Sequence, residues 1–134
     1  MYEIKKSKLG EYLAYNLTFD GYMNPTEMQA WYDDAKHELV SSPKEFVVKV
    51  DMRHLSPLCP ESQVIMQKGQ TLYRDSGMAR SAVLLNNDLL RYQFEQIARN
   101  SGIFKWERYY SNSDSGSGEA MNDWLLDGKF VPAS

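Results

Sequence analysis

The chain has 134 residues, 43% of them hydrophobic, which is the size and composition of one globular domain with a real core. Fifteen basic and eighteen acidic residues leave a net charge of −3, which argues against a dedicated nucleic-acid surface. The sole cysteine, Cys59, excludes an intrachain disulfide. No apolar run resembles a signal peptide or a membrane span, so we expect a cytoplasmic protein.

The first forty residues predict a β-hairpin followed by a helix. A strand opening at Tyr2 turns at Gly10, and apolar and polar residues then alternate from Leu13 to Phe19 with the period of a half-buried strand. The segment Asn24-Pro-Thr-Glu27 is a typical helix start, with Asn24 as the cap and proline in the first turn.

Strands and helices alternate from Phe46 to Gly102. Short apolar runs at Phe46–Asp51 and Ser81–Leu85 are each followed by a helical pattern, the first ending at Gly77. Such spacing indicates parallel strands joined by helical crossovers. The segment from Met52 to Cys59 is predicted to be a loop, with a helix starting at Pro60. Gly69, in the middle of that helix, is expected to let it lie close to the sheet.

The last part of the chain predicts a strand, a loop and a short helix. Residues 104–110 alternate as a fifth strand, the Ser- and Gly-rich segment 111–118 is predicted to be mobile, and Gly128 ends the last helix. The order β-β-α-β-α-β-α-β-α predicts an α/β fold with a single mixed sheet in one domain, residues 1–128, followed by a C-terminal tail, residues 129–134. We expect strand centres near residues 3, 15, 48, 83 and 107. The predicted buried residues are Leu39, Val48, Val50, Ile65, Leu72, Val83, Leu85, Phe94, Ile97 and Trp124.

Three segments resemble the STAS-like, or SpoIIAA-like (STAS/SEC14-type), superfamily. The stretch Val50-Asp-Met-Arg-His-Leu-Ser-Pro57 is similar to its "VDLRGL-x-P" strand and loop, Ser81-Ala-Val-Leu-Leu85 to its "RVAVV" strand, and Glu119-Ala-Met-Asn-Asp-Trp-Leu125 to its terminal "EA-x-x-WL" helix. The resemblance spans nearly the whole chain. It implies a SpoIIAA-like fold and a regulatory or protein-binding role.

One departure from that family concerns phosphorylation. Regulatory members carry a phosphorylated serine where the loop enters the helix, and this chain has Leu58-Cys-Pro-Glu-Ser62 there. Proline falls roughly at the serine position, so we expect no phosphoserine switch of that kind. Ser62 is the fallback acceptor.

The residues Asp51, His54 and Cys59 lie close together in sequence after a strand, where open α/β sheets place their ligands. A thiol at a helix N-terminus has a lowered pKa, so Cys59 assisted by His54 is a candidate nucleophile or redox sensor. The alternative is a small apolar residue in a helix-entry loop. Two histidines are too few for a typical metal site, and we predict no metal, cofactor or catalytic residue.

Three functions stay open from the sequence. The first is a non-enzymatic regulatory module that binds a protein partner or forms a homodimer. Its apolar loop residues Met52, Leu55 and Leu58 would be exposed, or would instead form a small core under the loop. The second is a lipid-like or nucleotide-like ligand in a cavity lined by Trp31, Phe94 and Trp106. The third is a thiol sensor or enzyme at Cys59. The predicted binding surface comprises Arg53, His54, Leu55, Ser56, Leu58, Cys59, Glu61 and Asn87.

Overall fold

The computed structural model describes residues 1–111 and 116–130, which form an α/β domain around one mixed sheet. The strands are β1 (Tyr2–Leu9), β2 (Tyr12–Gly21), β3 (Phe46–Leu55), β4 (Met78–Leu85) and β5 (Glu107–Ser111). The helices are α1 (Pro25–Leu39), α2 (Pro60–Ser76), α3 (Asp88–Ser101) and α4 (Ser117–Asp127), with a 3-10 turn at Phe104–Trp106.

The strands lie side by side in chain order, β1-β2-β3-β4-β5. β1 is antiparallel to β2, as the predicted hairpin requires, and β2 to β5 are parallel. The carboxyl ends of four strands therefore share one edge of the sheet, which we call the carboxyl edge. The single mixed sheet and the element order predicted from the sequence are confirmed.

Each face of the sheet packs against helices. Side chains that alternate along the strands, such as Leu17, Val50 and Val83, face α1, α2 and α3 in the larger core. The intervening residues, such as Val47 and Ala82, pack against α4. The period of two along each strand thus supplies both cores.

The start of α1 follows the cap expected from the sequence, and α3 has a cap that the sequence did not predict. The Asn24 side chain accepts a hydrogen bond from the Glu27 amide at 2.9 Å, and Pro25 opens α1. Asn87 accepts from the Leu90 amide at 2.9 Å and so caps α3. These bonds satisfy amides that the first helical turn leaves without partners.

The buried face of α2 differs from the prediction. The residues Ser62, Met66, Gly69, Gln70 and Tyr73 are buried, whereas Ile65 and Leu72 are only half-buried. The predicted face is wrong because two polar residues, Ser62 and Gln70, face inward, while Ile65 and Leu72 pack at the margin of the core. The other eight residues predicted to be buried are confirmed.

Two predicted boundaries are wrong. β3 continues through Leu55, four residues beyond the predicted end, because it pairs with β2 up to Gly21. Residues 104–106 form the 3-10 turn, so β5 starts only at Glu107. The predicted mobile loop and the tail lie partly outside the described residues.

Candidate functional site

The candidate site lies at the carboxyl edge, where β3 leads through residues 56–59 into α2. The Ser56 amide donates to the Gly21 carbonyl at 2.9 Å, which continues the β2–β3 pairing past the strand end. Cys59 occupies the cap position before Pro60 begins α2. The path of the connection is therefore fixed at both ends.

The apolar residues of this connection are buried. Met52, Leu55 and Leu58 are at most 5% exposed and belong to the core that packs against α1, α2 and α3. The expectation that they form an exposed apolar patch is wrong. The alternative of a core under the loop holds, because the extended β3 directs Met52 and Leu55 inward and the following turn tucks Leu58 beneath it. Leu55 and Leu58 therefore cannot contact a partner in this conformation.

The side-chain amide of Gln93, on α3, binds both backbone groups of Leu58. Its Oε1 accepts from the Leu58 amide at 2.8 Å, and its Nε2 donates to the Leu58 carbonyl at 3.1 Å. The same carbonyl also accepts from Gln63 Nε2 at 2.9 Å. We call this arrangement the Gln93 clamp. It ties the connection that precedes α2 to the second turn of α3, and the sequence offered no signal for it.

Cys59 is half-buried, and its Sγ lies 3.4 Å from Ser62 Oγ. Hydrogen bonding with the side chain and backbone of Ser62, and after them with Tyr22, lowers the pKa of the thiol. Ser62 itself is fully buried and donates to the Met23 carbonyl at 2.9 Å. It is therefore inaccessible in this conformation, which removes it as a fallback phosphorylation site.

His54 does not assist Cys59. It is exposed at the end of β3 and paired in register with Asp20 of β2, and within the described part of the chain no hydrogen bond joins it to the thiol. The two residues are only five positions apart in the sequence, but His54 lies at the end of β3 and Cys59 at the start of α2. The predicted His54–Cys59 arrangement therefore lacks the contact that base-assisted thiol chemistry requires.

Arg53 forms a bidentate ion pair with Asp51. The two bonds measure 3.0 Å from Nε to Oδ1 and 2.8 Å from Nη2 to Oδ2. The guanidinium holds the pKa of Asp51 below its usual range. Asp51 continues the alternation that places Val47 on the α4 face of the sheet, and its bonds hold Arg53 beside it, where the register of β3 against β2 shifts.

Exposed apolar side chains do occur at the carboxyl edge, but they are not those predicted. Tyr22, Val64, Leu89 and Tyr92 are each 55–63% exposed. Tyr22 precedes α1, Val64 lies in the second turn of α2, and the other two begin α3. The sequence did contain a signal, because Tyr92 falls between Leu90 and Phe94 and so lies off the buried stripe of α3.

We call the part of this edge next to α1, α2 and α3 the rim surface, defined as Tyr22, Ser56, Glu61, Val64, Leu89 and Tyr92. Ser56 and Glu61 add polar groups among the apolar ones, and both are exposed. Of the predicted binding residues, Arg53, His54, Ser56, Glu61 and Asn87 remain exposed. Mixed apolar and polar surfaces of this kind are typical of protein interfaces.

The space between the sheet and the helices is small. A cavity of about 30 Å³ lies there, lined by residues that include Trp31 but neither Phe94 nor Trp106. Small-molecule sites usually measure ~300–1,000 Å³. The cavity therefore cannot hold a lipid or nucleotide in this conformation, and the second function expected from the sequence loses its predicted site.

Among solved structures, the fold is shared with an uncharacterized protein of the DUF3478 family from Shewanella loihica PV-4, which has a SpoIIAA-like fold. The TM-score is 0.64 at 16% sequence identity, over 93% of this chain and 94% of that chain. This likeness confirms the SpoIIAA-like fold expected from the sequence. No protein-family model matches the sequence, and no curated protein is significantly similar to it.

Among residues 1–111 and 116–130, no helix is both long enough and apolar enough to cross a bilayer.

Proposed function

We propose that this protein is a non-enzymatic, STAS-like module that binds a protein partner through the carboxyl edge of its sheet. The observation that carries the proposal is the exposure of Tyr22, Val64, Leu89 and Tyr92 around the entry to α2. Exposed apolar residues that gather in one region favour an interaction surface over a simple connector.

The rigidity of this region supports the same role. The Gln93 clamp and the Ser56–Gly21 bond hold the backbone of the rim surface in place. A preformed surface loses little conformational freedom on binding, so more of its contact energy contributes to affinity.

The proposal that the protein is not an enzyme rests on the same residues. The one thiol at the edge lacks a histidine partner, and Arg53 and Asp51 are bound to each other. The described residues at the edge thus supply no nucleophile with a base and an orienting group. A reproducible turnover that is lost in Cys59→Ala or His54→Ala would overturn this part.

The test compares two surface variants that remove exposed apolar groups. Leu89→Ser/Tyr92→Ser changes the rim surface, and Val40→Ser, at the exposed C-terminal end of α1, is the matched control. Both should keep the melting temperature of the unaltered protein. In pull-downs from the cells that naturally make the protein, the rim variant should lose a partner that the control retains.

The outcome that contradicts the proposal is equally specific. If both variants fold and capture the same partners, the interaction surface lies elsewhere. Analytical ultracentrifugation distinguishes a second copy from a different partner, because a homodimer would dissociate in the rim variant alone. Arg53→Ala tests whether the α4 side of the edge also takes part.

The second candidate function is a thiol sensor, favoured by the lowered pKa of Cys59 beside Ser62 and Tyr22. Such a thiol would react with peroxide faster than free cysteine at neutral pH. Mass spectrometry of peroxide-treated protein should then show sulfenic acid at Cys59 at low oxidant doses. A reaction no faster than that of free cysteine would eliminate this candidate.

A further inference from the structure

A carboxyl group is buried on the sheet face that packs against α1, α2 and α3, away from the rim surface. Glu107, the first residue of β5, is 4% exposed. Its Oε1 lies 2.9 Å from Ser81 Oγ, and its Oε2 lies 2.5 Å from the Tyr109 hydroxyl. The Tyr109 hydroxyl is also 3.2 Å from the Phe94 carbonyl of α3. The three groups connect two strands and a helix.

The cavity beside Glu107 is lined mostly by apolar side chains, with a few polar groups among them. Gln70, Ser81 and Glu107 line it together with Trp31 and Tyr73. Within the described part of the chain, Trp31 Nε1 and the Tyr73 hydroxyl are buried without a hydrogen-bond partner. A buried water needs roughly 10–15 Å³ and several polar partners, so a cavity of about 30 Å³ next to these polar groups is large enough for one. Water here would give the carboxyl a polar neighbour for proton exchange.

Among residues 1–111 and 116–130, no cation forms an ion pair with Glu107. On α2, Arg74 lies over the Trp106 ring and donates to the Met78 carbonyl. On α3, Arg91 pairs with Glu95 at 2.9 Å, and their charges shift the pKa of Tyr109 in opposite directions. Lys105, in the 3-10 turn, also lies over Trp106.

The remaining titratable groups near the site are phenols, Tyr73 on α2 and Tyr109 on β5, and burial raises the pKa of both. Burial without a cation likewise raises the pKa of Glu107 to about 7, against an ordinary 4.5, although its two hydroxyl partners act in the opposite direction.

We propose that Glu107 is a proton switch between β5 and α3. In the neutral state the carboxyl donates to the Tyr109 oxygen, and the Tyr109 hydroxyl donates to the Phe94 carbonyl. In the ionised state the proton has passed to water, and the Tyr109 hydroxyl turns to donate to the carboxylate. A hydroxyl has only one proton to donate, so the Phe94 carbonyl then loses this donor.

The switch has a defined direction with pH. The folded protein holds the Glu107 proton more tightly than the unfolded chain, so its contribution to stability is complete below pH 4.5 and is lost as pH rises through about 7. Between pH 6 and pH 8 this one group should lower the folding equilibrium constant by about tenfold. The tie between β5 and α3 weakens over the same interval.

The test starts with the unaltered protein. Its Glu107 side-chain carbon, followed by NMR, should titrate with a midpoint near pH 7, and the α3 amides in the turn after Phe94 should shift with the same midpoint. A carboxyl midpoint at or below pH 5, or α3 amides that do not follow it, would overturn the proposal. This measurement needs no variant to fold.

Two variants separate the parts of the switch. Glu107→Gln keeps a neutral group that can donate to Tyr109, so the tenfold loss of stability between pH 6 and pH 8 should disappear relative to the unaltered protein. Tyr109→Phe removes the relay, so the carboxyl should still titrate while the α3 amides no longer follow it. An unchanged α3 response in Tyr109→Phe would exclude the relay.

Discussion

Gly69 of α2 lies directly against the Trp31 ring of α1. A Cβ placed on Gly69 would sit 2.2 Å from Trp31 Cη2 and 2.4 Å from Cζ3, far inside van der Waals contact. The sequence predicted that this glycine brings α2 close to the sheet, but the neighbour it accommodates is a ring on the adjacent helix. Trp31 is also stacked on Tyr73 with centroids 6.1 Å apart, so the ring has little room to move.

We therefore expect Gly69→Ala to destabilise the protein. Alanine favours a helix by about 1 kcal/mol over glycine, but overpacking a rigid ring typically costs ~1–3 kcal/mol or more. The net change should be a loss of stability, measured by urea unfolding. Gly118→Ala in α4, where nothing lies within 4 Å of the added carbon, is the control and should be neutral or stabilising. A stabilised Gly69→Ala would contradict the close contact.

The rotated face of α2 gives a second prediction. Met66 is buried and Leu72 only half-buried, so Met66→Ala should cost ~2–5 kcal/mol and Leu72→Ala clearly less. Both residues are long and apolar and lie on the same helix, which makes them a matched pair. Urea denaturation curves of the two variants decide the point, and equal losses would mean that the helix face is misassigned.

The Gln93 clamp gives a third prediction. Gln93→Ala leaves the Leu58 amide without its partner, while the carbonyl keeps Gln63. A buried donor left unpaired costs about 1–3 kcal/mol, so stability should fall by that amount. Exchange of the Leu58 amide with solvent should also become faster. Gln96→Ala, on the exposed side of the same helix, should change neither quantity.

The thiol gives a fourth prediction. Hydrogen bonding with Ser62 and, to a smaller extent, with Tyr22 lowers the pKa of Cys59, so Tyr22→Phe should raise that pKa and slow alkylation of the thiol at neutral pH. The pH profile of iodoacetamide labelling measures the shift. Tyr92→Phe provides the control, because Tyr92 is an exposed tyrosine on α3. Identical profiles for the unaltered protein and Tyr22→Phe would show that the tyrosine does not act on the thiol.

The sequence predicts the architecture of this protein better than its surface. Strand alternation, the cap at Asn24 and the stripe of α3 depend on local sequence signals, and the structure follows them. The face of α2 could not be predicted because its inward polar residues, Ser62 and Gln70, are accommodated by partners distant in sequence. Ser62 bonds to the Met23 carbonyl, and Gln70 accepts from Ser101 at 2.7 Å.

The candidate site shows the same limit more strongly. Residues 52–59 are apolar enough to form either a patch or a small core, and the outcome depends on how far β3 pairs with β2. The burial of Glu107 could not be predicted from the sequence, because alternating strands commonly carry charged residues on their solvent face. Only the packing of α2 and α3 over β5 makes that position an interior one.

The Gln93 clamp fixes the backbone beneath the rim surface without using the side chains that the rim surface exposes. The backbone at Leu58 is held by a side chain 35 positions away along the chain. Ser56 and Glu61 are exposed, and neither contributes its side chain to that bond. Substitutions at these two positions can therefore alter recognition while the supporting loop keeps its form. A preserved frame with replaceable exposed positions is what an evolving lineage, or a designer building a binding library, needs to change partners without losing the fold.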